Sequence, residues 1–150
     1  MNHESLELSA LELAGLETRA SNDDPSPIGA LWGSFFSDAR MQKVPALDDD
    51  VVAVYCEYEG DHTRPYTFFL GRRIGPDGCL PEGLPEGIVR RRVPAGKFAR
   101  IVSVGEQPGA MIAAWQEIWG MPLARRYDHD FEVHPAADPT RVEIHVGVDG

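Results

Sequence analysis

The stretch AGLETR at residues 14–19 returns as AGKFAR at residues 95–100, in the shared pattern A-G-x-x-x-R. Downstream of each copy, residues 28–36 and 111–119 carry large apolar side chains four residues apart, with a tryptophan in the matching position. Further on, each copy ends an apolar alternation on a glycine. Three matched blocks in the same order indicate an internal duplication, and this duplication decides the fold.

The repeat predicts two similar halves, about residues 6–75 and 87–149, joined by the Gly/Pro-rich linker of residues 75–87. Each half has the predicted order strand, helix, strand, strand. One half alone is too small to bury a helix face and a sheet face well. We therefore predict a single α+β domain over residues 1–150. It consists of one antiparallel sheet with two main helices, which flank a groove.

Residues 6–20 are the ambiguous segment, because Leu, Glu and Ala all favour helix. The leucines are nevertheless spaced by two, as in a strand interrupted after Leu8. The matching segment in the second half, residues 98–104, is typical of a strand, so we predict strand here too. The remaining predicted elements are helices at 27–40 and 109–119, and hairpins formed by 51–58 with 66–71 and by 131–134 with 142–146.

Composition excludes several classes of protein. The chain has 150 residues and a formal net charge of −10, and such a surface repels nucleic-acid phosphates. No apolar run is long enough to span a membrane, and residues 1–5 do not resemble a signal peptide. We expect a cytoplasmic protein with no direct nucleic-acid partner and no membrane partner. Of the two cysteines, Cys56 is predicted in the core and Cys79 in a loop, without a disulfide framework.

Aromatic side chains are the predicted walls of the groove. Trp32 and Trp115 occupy matching positions on the two helices, and Trp119 lies one turn beyond Trp115 on the same face. Tryptophan and tyrosine, including Tyr55 and Tyr127, combine a large apolar area with one polar group, which suits a ligand pocket. The alternative is that these rings simply pack a helix onto the sheet, and the sequence leaves both interpretations open.

Glu132 is the candidate polar residue. It lies between Phe131 and Val133 in a strand, so that its side chain and that of His134 face the opposite side of the sheet from its two neighbours. One interpretation is a solvated strand face. The other is a carboxylate at the floor of an aromatic pocket, which would attract a cationic ligand or act as a general acid or base.

Metal and cofactor chemistry has little support. His129, His134 and His145 occur late in the chain, but their spacing matches no zinc signature. There is no Gly-rich nucleotide loop followed by a helix and no G-x-S-x-G nucleophile motif. We predict no metal and no cofactor.

Several stretches resemble the GyrI-like small-molecule-binding domains, which also form the effector-binding part of AraC-type transcription regulators. They are LETRASN (16–22), IGALWGSFF (28–36), VAVYCEYEGDHTRPYTFFLG (52–71), RRVPAGKFARIVSVG (91–105), AAWQEIW (113–119) and ARRYDHDFEVHP (124–135). The resemblance covers nearly the whole chain, and the PAGKFA, IW and DFEVH elements are its most specific parts.

The resemblance implies a tandem of two strand-helix-strand-strand modules with a ligand groove between them. It places the acidic pocket residue at Glu132 and the aromatic pocket residues at Trp115, Trp119, Tyr127, Tyr55 and Trp32. Most of the chemistry is therefore expected on the C-terminal side of the groove. The first repeat begins near residue 6, which leaves no room for a helix-turn-helix, so we expect a stand-alone member.

Three functions are considered: the residues themselves favour the first, and the resemblance implies the other two. The first is a module that binds an apolar or aromatic small molecule, with a cationic drug or effector as one option. The second is a hydrolase of reactive cyclopropanoid toxins, in which Glu132 activates water and Tyr127 assists. The third is a gyrase-inhibitor-like interaction protein. The sequence leaves the ligand and the oligomeric state open.

Overall fold

A computed structural model describes residues 3–24, 26–60, 63–75 and 85–149 of the chain. These residues form eight strands, two helices and one turn of 3-10 helix at Met41–Lys43. The strands and helices are β1 (Glu4–Leu8), β2 (Leu11–Ala20), α1 (Ser26–Phe35), β3 (Val51–Cys56), β4 (Tyr66–Arg73), β5 (Val89–Val93), β6 (Gly96–Val104), α2 (Gly109–Trp119), β7 (Arg125–His134) and β8 (Arg141–Val148).

The predicted α+β architecture is confirmed: one antiparallel sheet carries two helices. The sheet has the order β1-β6-β8-β7-β3-β4-β2-β5. Each half supplies three consecutive strands of this sheet, and β3 meets β7 where the halves join. The first strands are exchanged, because β1 pairs with β6 of the second half and β5 pairs with β2 of the first. This exchange interlocks the halves.

The strand order also requires the sheet to curl. β1 lies at one end of the sheet and β2 close to the other, yet only two residues, Ser9 and Ala10, separate them. The β5 to β6 link is equally short, at Pro94 and Ala95. Both pairs of strands can be joined only if the two ends of the sheet approach each other.

The ambiguous segment is a strand, as predicted, because its two sides are both buried. Leu13 packs in one core and Ala14 in another, on opposite faces of β2. At the centre of β2, Gly15 lies opposite Gly71 of β4. A Cβ on Gly15 would clash with the backbone of Leu70. Tertiary packing thus overrides the helix propensity of this composition.

The two faces of the sheet form different cores. Val52, Val54 and Cys56 belong to a cluster of sheet residues that includes no described helix residue. The alternate residues of β3, such as Ala53 and Tyr55, pack in the clusters that include helix residues. Cys56 is fully buried, as expected for a core cysteine.

Some predicted boundaries are wrong. α1 ends at Phe35 and not at residue 40. Beyond Phe35, the Asp38 carboxylate accepts hydrogen bonds from the backbone N–H and the side chain of Arg40. These local hydrogen bonds compete with helix formation. β7 begins at Arg125, six residues earlier than predicted. Residues 76–84 of the predicted linker, with Cys79, lie outside the described residues.

Two further features of the fold are the ion pairs of a basic strand and the length of the helices. The basic run of residues 90–92 lies in β5 and forms ion pairs with Glu12 and Glu17 of β2. Neither helix in the described part of the chain has the length and apolarity needed to cross a bilayer.

Candidate functional site

A cavity of about 510 Å³ lies between the two helices on one face of the sheet. Helix α1 forms one wall and α2 the other, while aromatic residues of the sheet and its adjoining loop lie below. The lining residues are Asn22, Ile28, Gly29, Trp32, Tyr55, Tyr58, Tyr66, Pro108, Met111, Ile112, Trp115, Gln116, Trp119 and Arg125. Because most of this surface is apolar or aromatic, we call it the aromatic cavity.

Glu132 lies directly behind the wall of the aromatic cavity. Its carboxylate Oε2 accepts hydrogen bonds from the Tyr55 hydroxyl at 2.7 Å and from the Trp115 indole N–H at 2.6 Å. Its Oε1 lies 2.8 Å from Nε2 of His134. The residue is only 1% exposed. Its charge therefore acts on the cavity through the two aromatic rings that bind it.

The register of the sheet positions Glu132. On β7 it lies opposite Ala53 of β3, and the small Ala53 side chain leaves space for a carboxylate under the helices. The ring of Tyr55 meets the ring of Trp115 edge to face, with centroids 5.3 Å apart. Strand alternation places Glu132 and Phe131 on opposite faces, as predicted, and the structure shows that the face of Glu132 is the one under the helices, while Phe131 packs on the other.

A second buried carboxylate lies two residues earlier on the same strand. Asp130 is 0% exposed. Its Oδ2 accepts hydrogen bonds from Nη2 of Arg125 at 2.7 Å and from the Tyr58 hydroxyl at 2.5 Å. Its Oδ1 accepts the backbone N–H of Gly147 at 2.8 Å. The Arg125 side chain is 4% exposed, so this is a buried ion pair.

A bulge in β7 brings the partners of this ion pair together. The pairing with β8 is irregular between Arg125 and Asp130. Within the bulge Tyr127 has a backbone φ of 55°, in the left-handed region that non-glycine residues seldom adopt. The Arg125 guanidinium lies 4.3 Å from the centroid of the Tyr127 ring and 5.9 Å from that of Trp115. Bulges commonly redirect side chains next to functional sites.

The tyrosines of the cavity are protonated donors at neutral pH. Burial, reinforced by the Glu132 charge, raises the pKa of Tyr55 well above its ordinary value. Burial and the Asp130 charge do the same to the pKa of Tyr58. Burial and Glu132 raise the pKa of Tyr66 to about 12. Each phenol therefore remains neutral and can donate a hydrogen bond, which Tyr66 makes to the side chain of Asn22.

The structure brings most of the predicted site residues together. Four of them line the aromatic cavity: Trp32, Tyr55, Trp115 and Trp119. Glu132 lies behind the wall, and Tyr127 is not a lining residue. The Tyr127 ring instead contacts Tyr58 edge to face at 5.9 Å.

Sequence reasoning missed Tyr58, Tyr66, Arg125 and Asp130 as parts of the site. The two tyrosines belong to the first half, so polar groups reach the cavity from both halves and not mainly from the C-terminal side. The clustering of tyrosines after Tyr55 was a usable signal. No sequence pattern indicated the bulge that positions Arg125 in the wall of the aromatic cavity.

Comparisons with known proteins agree with this geometry. The chain matches the family model of Cass2, integron-associated effector binding protein, over residues 6–148. It is 29% identical over 152 residues, 94% of this chain and 92% of the relative, to YobU of Bacillus subtilis (strain 168), whose name describes a candidate transcriptional regulator.

Solved structures share the fold. An integron cassette protein from the mobile metagenome of Vibrio cholerae has a TM-score of 0.79 and 28% identity, covering 98% of this chain and 95% of that one. SAV2435, solved with tetraphenylphosphonium bound, has a TM-score of 0.78 and 16% identity, covering 100% and 95%.

The duplicated modules, the shared sheet and the cavity between two helices define a GyrI-like effector-binding domain, related to the effector domains of transcription regulators. The chain belongs to the Cass2 family of integron-associated effector binding proteins. Binding of a small molecule is accordingly its function.

Proposed function

We propose that the aromatic cavity binds a small, largely aromatic cation. The observation that carries this proposal is which groups surround the buried Glu132 carboxylate. Among the described residues no arginine or lysine lies within ion-pair distance of its carboxylate, and the one basic group that does is the His134 imidazole. A buried negative charge without a permanent counter-charge attracts a cation, and aromatic walls supply cation–π attraction.

The electron distribution of the walls supports the same ligand class. The Tyr55 hydroxyl and the Trp115 N–H both donate to the carboxylate. Donation to an anion increases electron density in each ring, which strengthens attraction of a cation to its face. SAV2435, which shares the fold, binds tetraphenylphosphonium, a cation with four aromatic rings.

Calorimetric titration with tetraphenylphosphonium tests the proposal, with tetraphenylborate as an anion of the same shape. We expect the cation to bind and the anion to bind at least about 10-fold more weakly. Glu132→Gln should weaken cation binding by about 10-fold or more, or about 1.4 kcal/mol. Glu117→Gln is the matched control, since Glu117 is exposed on α2 and does not line the cavity. Equal binding of both ions, or unchanged binding in Glu132→Gln, would refute the proposal.

The geometry favours binding over the alternative hydrolase. A general base needs a carboxylate oxygen within reach of the substrate or its water. Both Glu132 oxygens instead face protein groups, and Tyr127, the predicted assisting residue, is not a lining residue. Hydrolysis of cyclopropanoid toxins remains a prediction from the resemblance, as does a gyrase-inhibitor-like interaction. Repeated turnover of a cyclopropanoid substrate, lost in Glu132→Gln, would establish the hydrolase.

A further inference from the structure

A second cavity, of about 480 Å³, lies on the other side of Trp32 from the aromatic cavity. The end of α1 and the ends of β3, β4 and β7 enclose it, and the segment before α2 contributes Gln107. Trp32 lines both cavities. His134 lines the second cavity and touches the edge of Trp32, with ring centroids 4.8 Å apart.

The polar side of this cavity carries donors. Arg72, Arg141, His134 and Gln107 all line it. The Arg141 guanidinium pairs with Glu143, and the His134 imidazole contacts Glu132. One acid, Asp49, also lines the cavity, but Asp49 is an exposed residue.

Arg72 is the exceptional member of this set. The chain has a net charge of −10, and its arginines are mostly ion-paired, yet no carboxylate of the described residues lies within ion-pair distance of Arg72. Its guanidinium lies over the Phe35 ring at 5.2 Å, and its Nε is buried without a hydrogen-bond acceptor. A half-buried guanidinium without a counter-charge, in the wall of a cavity, is an anchor for an anion.

The apolar side of the cavity specifies the rest of the ligand. The rings of Trp32 and Phe36 are stacked with centroids 6.2 Å apart. Phe36 is 60% exposed, so its ring is available to a ligand. A planar carboxylate matches the fork of an arginine, and an aromatic body matches the two rings.

We propose that the second cavity binds a small aromatic carboxylate, with Arg72 as the residue that holds its carboxyl group. The site is separate from the aromatic cavity, and its ligand has the opposite charge. Because the assay below uses no cation, its result does not depend on the function proposed above.

Calorimetry with 2-naphthoate tests this site, with 2-naphthalenemethanol as the neutral analogue. We expect naphthoate to bind and the alcohol to bind at least about 10-fold more weakly. Arg72→Gln should lose about 10-fold or more of naphthoate affinity, and Arg72→Lys should lose less because it keeps the charge. Arg64→Gln is the control, since it removes the same charge from an exposed turn. Asp49→Asn should strengthen binding.

Three outcomes would overturn the proposal. They are equal binding of naphthoate and the alcohol, equal binding by the Arg72→Gln and wild-type proteins, and equal loss in Arg64→Gln. Inorganic phosphate serves as a further probe. Arg72-dependent binding of phosphate without binding of naphthoate would refute an aromatic carboxylate as the ligand. A circular dichroism spectrum and a midpoint of urea unfolding that both match wild type show that Arg72→Gln is folded.

Discussion

Asp130 and Glu132 are two buried carboxylates on the same face of one strand, and they differ in what compensates their charge. Asp130 faces the Arg125 guanidinium, a hydroxyl and a backbone N–H. Glu132 accepts two neutral donors and contacts a histidine. Burial is nearly complete in both cases, so the difference lies in the partners alone.

This difference separates a structural role from a binding role. The Asp130–Arg125 pair is neutral as a unit, so it attracts no ion and holds the bulge of β7 in place. Glu132 leaves a net negative charge under an aromatic wall, which is costly unless a cation approaches. Of the two carboxylates, Glu132 is thus the one whose charge suits the proposed cation.

The largest expected effect comes from breaking the compensated pair. Asp130→Asn leaves the buried Arg125 guanidinium without a counter-charge, so we expect the free energy of unfolding to fall by about 3–5 kcal/mol. Glu132→Gln keeps an oxygen that can accept from Tyr55 and Trp115, so we expect a loss below about 1.5 kcal/mol. Urea denaturation measures both. Equal losses in the two variants would contradict the distinction.

Removing both charges of the pair should recover much of this loss. In Arg125→Met with Asp130→Asn, no charge remains at the pair. The single asparagine oxygen can accept from the Gly147 N–H, and the amide group faces the Tyr58 hydroxyl. We expect the double variant to be more stable than Asp130→Asn alone by about 2 kcal/mol or more. Urea denaturation should also be measured for Arg125→Met alone. If the losses of the two single variants simply add in the double variant, the pair is not coupled.

The donors to Glu132 should matter for both stability and binding. Trp115→Phe removes the indole N–H from a carboxylate that then keeps fewer donors, so we expect a loss of about 1–3 kcal/mol in unfolding free energy. Trp119→Phe changes a side chain that is 36% exposed, so we expect a loss below about 1 kcal/mol. The same pair of variants, titrated with tetraphenylphosphonium, should rank in the same order. A reversed order would remove Trp115 from the centre of the site.

The smallest effect appears at alkaline pH. In the folded protein the pKa values of Tyr55 and Tyr58 are raised well above 10, whereas unfolded tyrosines ionise near 10. Stability is therefore complete below about pH 10 and falls as the pH rises above it, by about 1 kcal/mol for each tyrosine at about pH 10.5.

Three variants test the origin of that decline. Tyr55→Phe and Tyr58→Phe should each make it shallower in denaturation curves measured between about pH 9 and pH 11. Glu132→Gln should move the titration of Tyr55, followed by tyrosinate absorbance, to lower pH, because it removes a charge that opposes ionisation. An unchanged titration in Glu132→Gln would mean that burial alone raises that pKa.

The sequence predicted the architecture because the duplication supplied a second copy of every ambiguous pattern. Residues 11–20 favour helix by composition, and the two-residue spacing of the leucines together with the comparison to residues 98–104 indicated strand. Alternation also turned Glu132 away from Phe131 before any contact was known. These successes rest on local periodicity, which a sequence displays directly.

The missed features depend on long-range geometry. The sequence did not predict that β1 and β5 exchange between the halves, because the residue pattern of a strand does not identify the strand with which it pairs. Asp130 was not predicted as part of the site, since both Asp130 and its partner Arg125 lie before the predicted strand of residues 131–134. The bulge that brings them together leaves no distinctive residue pattern in the sequence of the strand.

The exchanged first strands have a consequence for synthesis on the ribosome. β1 has no partner strand until β6 has been synthesised, since Glu4 of β1 lies opposite Arg100 of β6. The outer edge of β2 is likewise unpaired until β5 has been synthesised. The nascent first half therefore exposes an open edge of β2 until β5 has been made, and an unpaired β1 until β6 has been made. Such edges are sites of association between chains. The order of translation, and not only the final packing, sets when this protein is most vulnerable to aggregation.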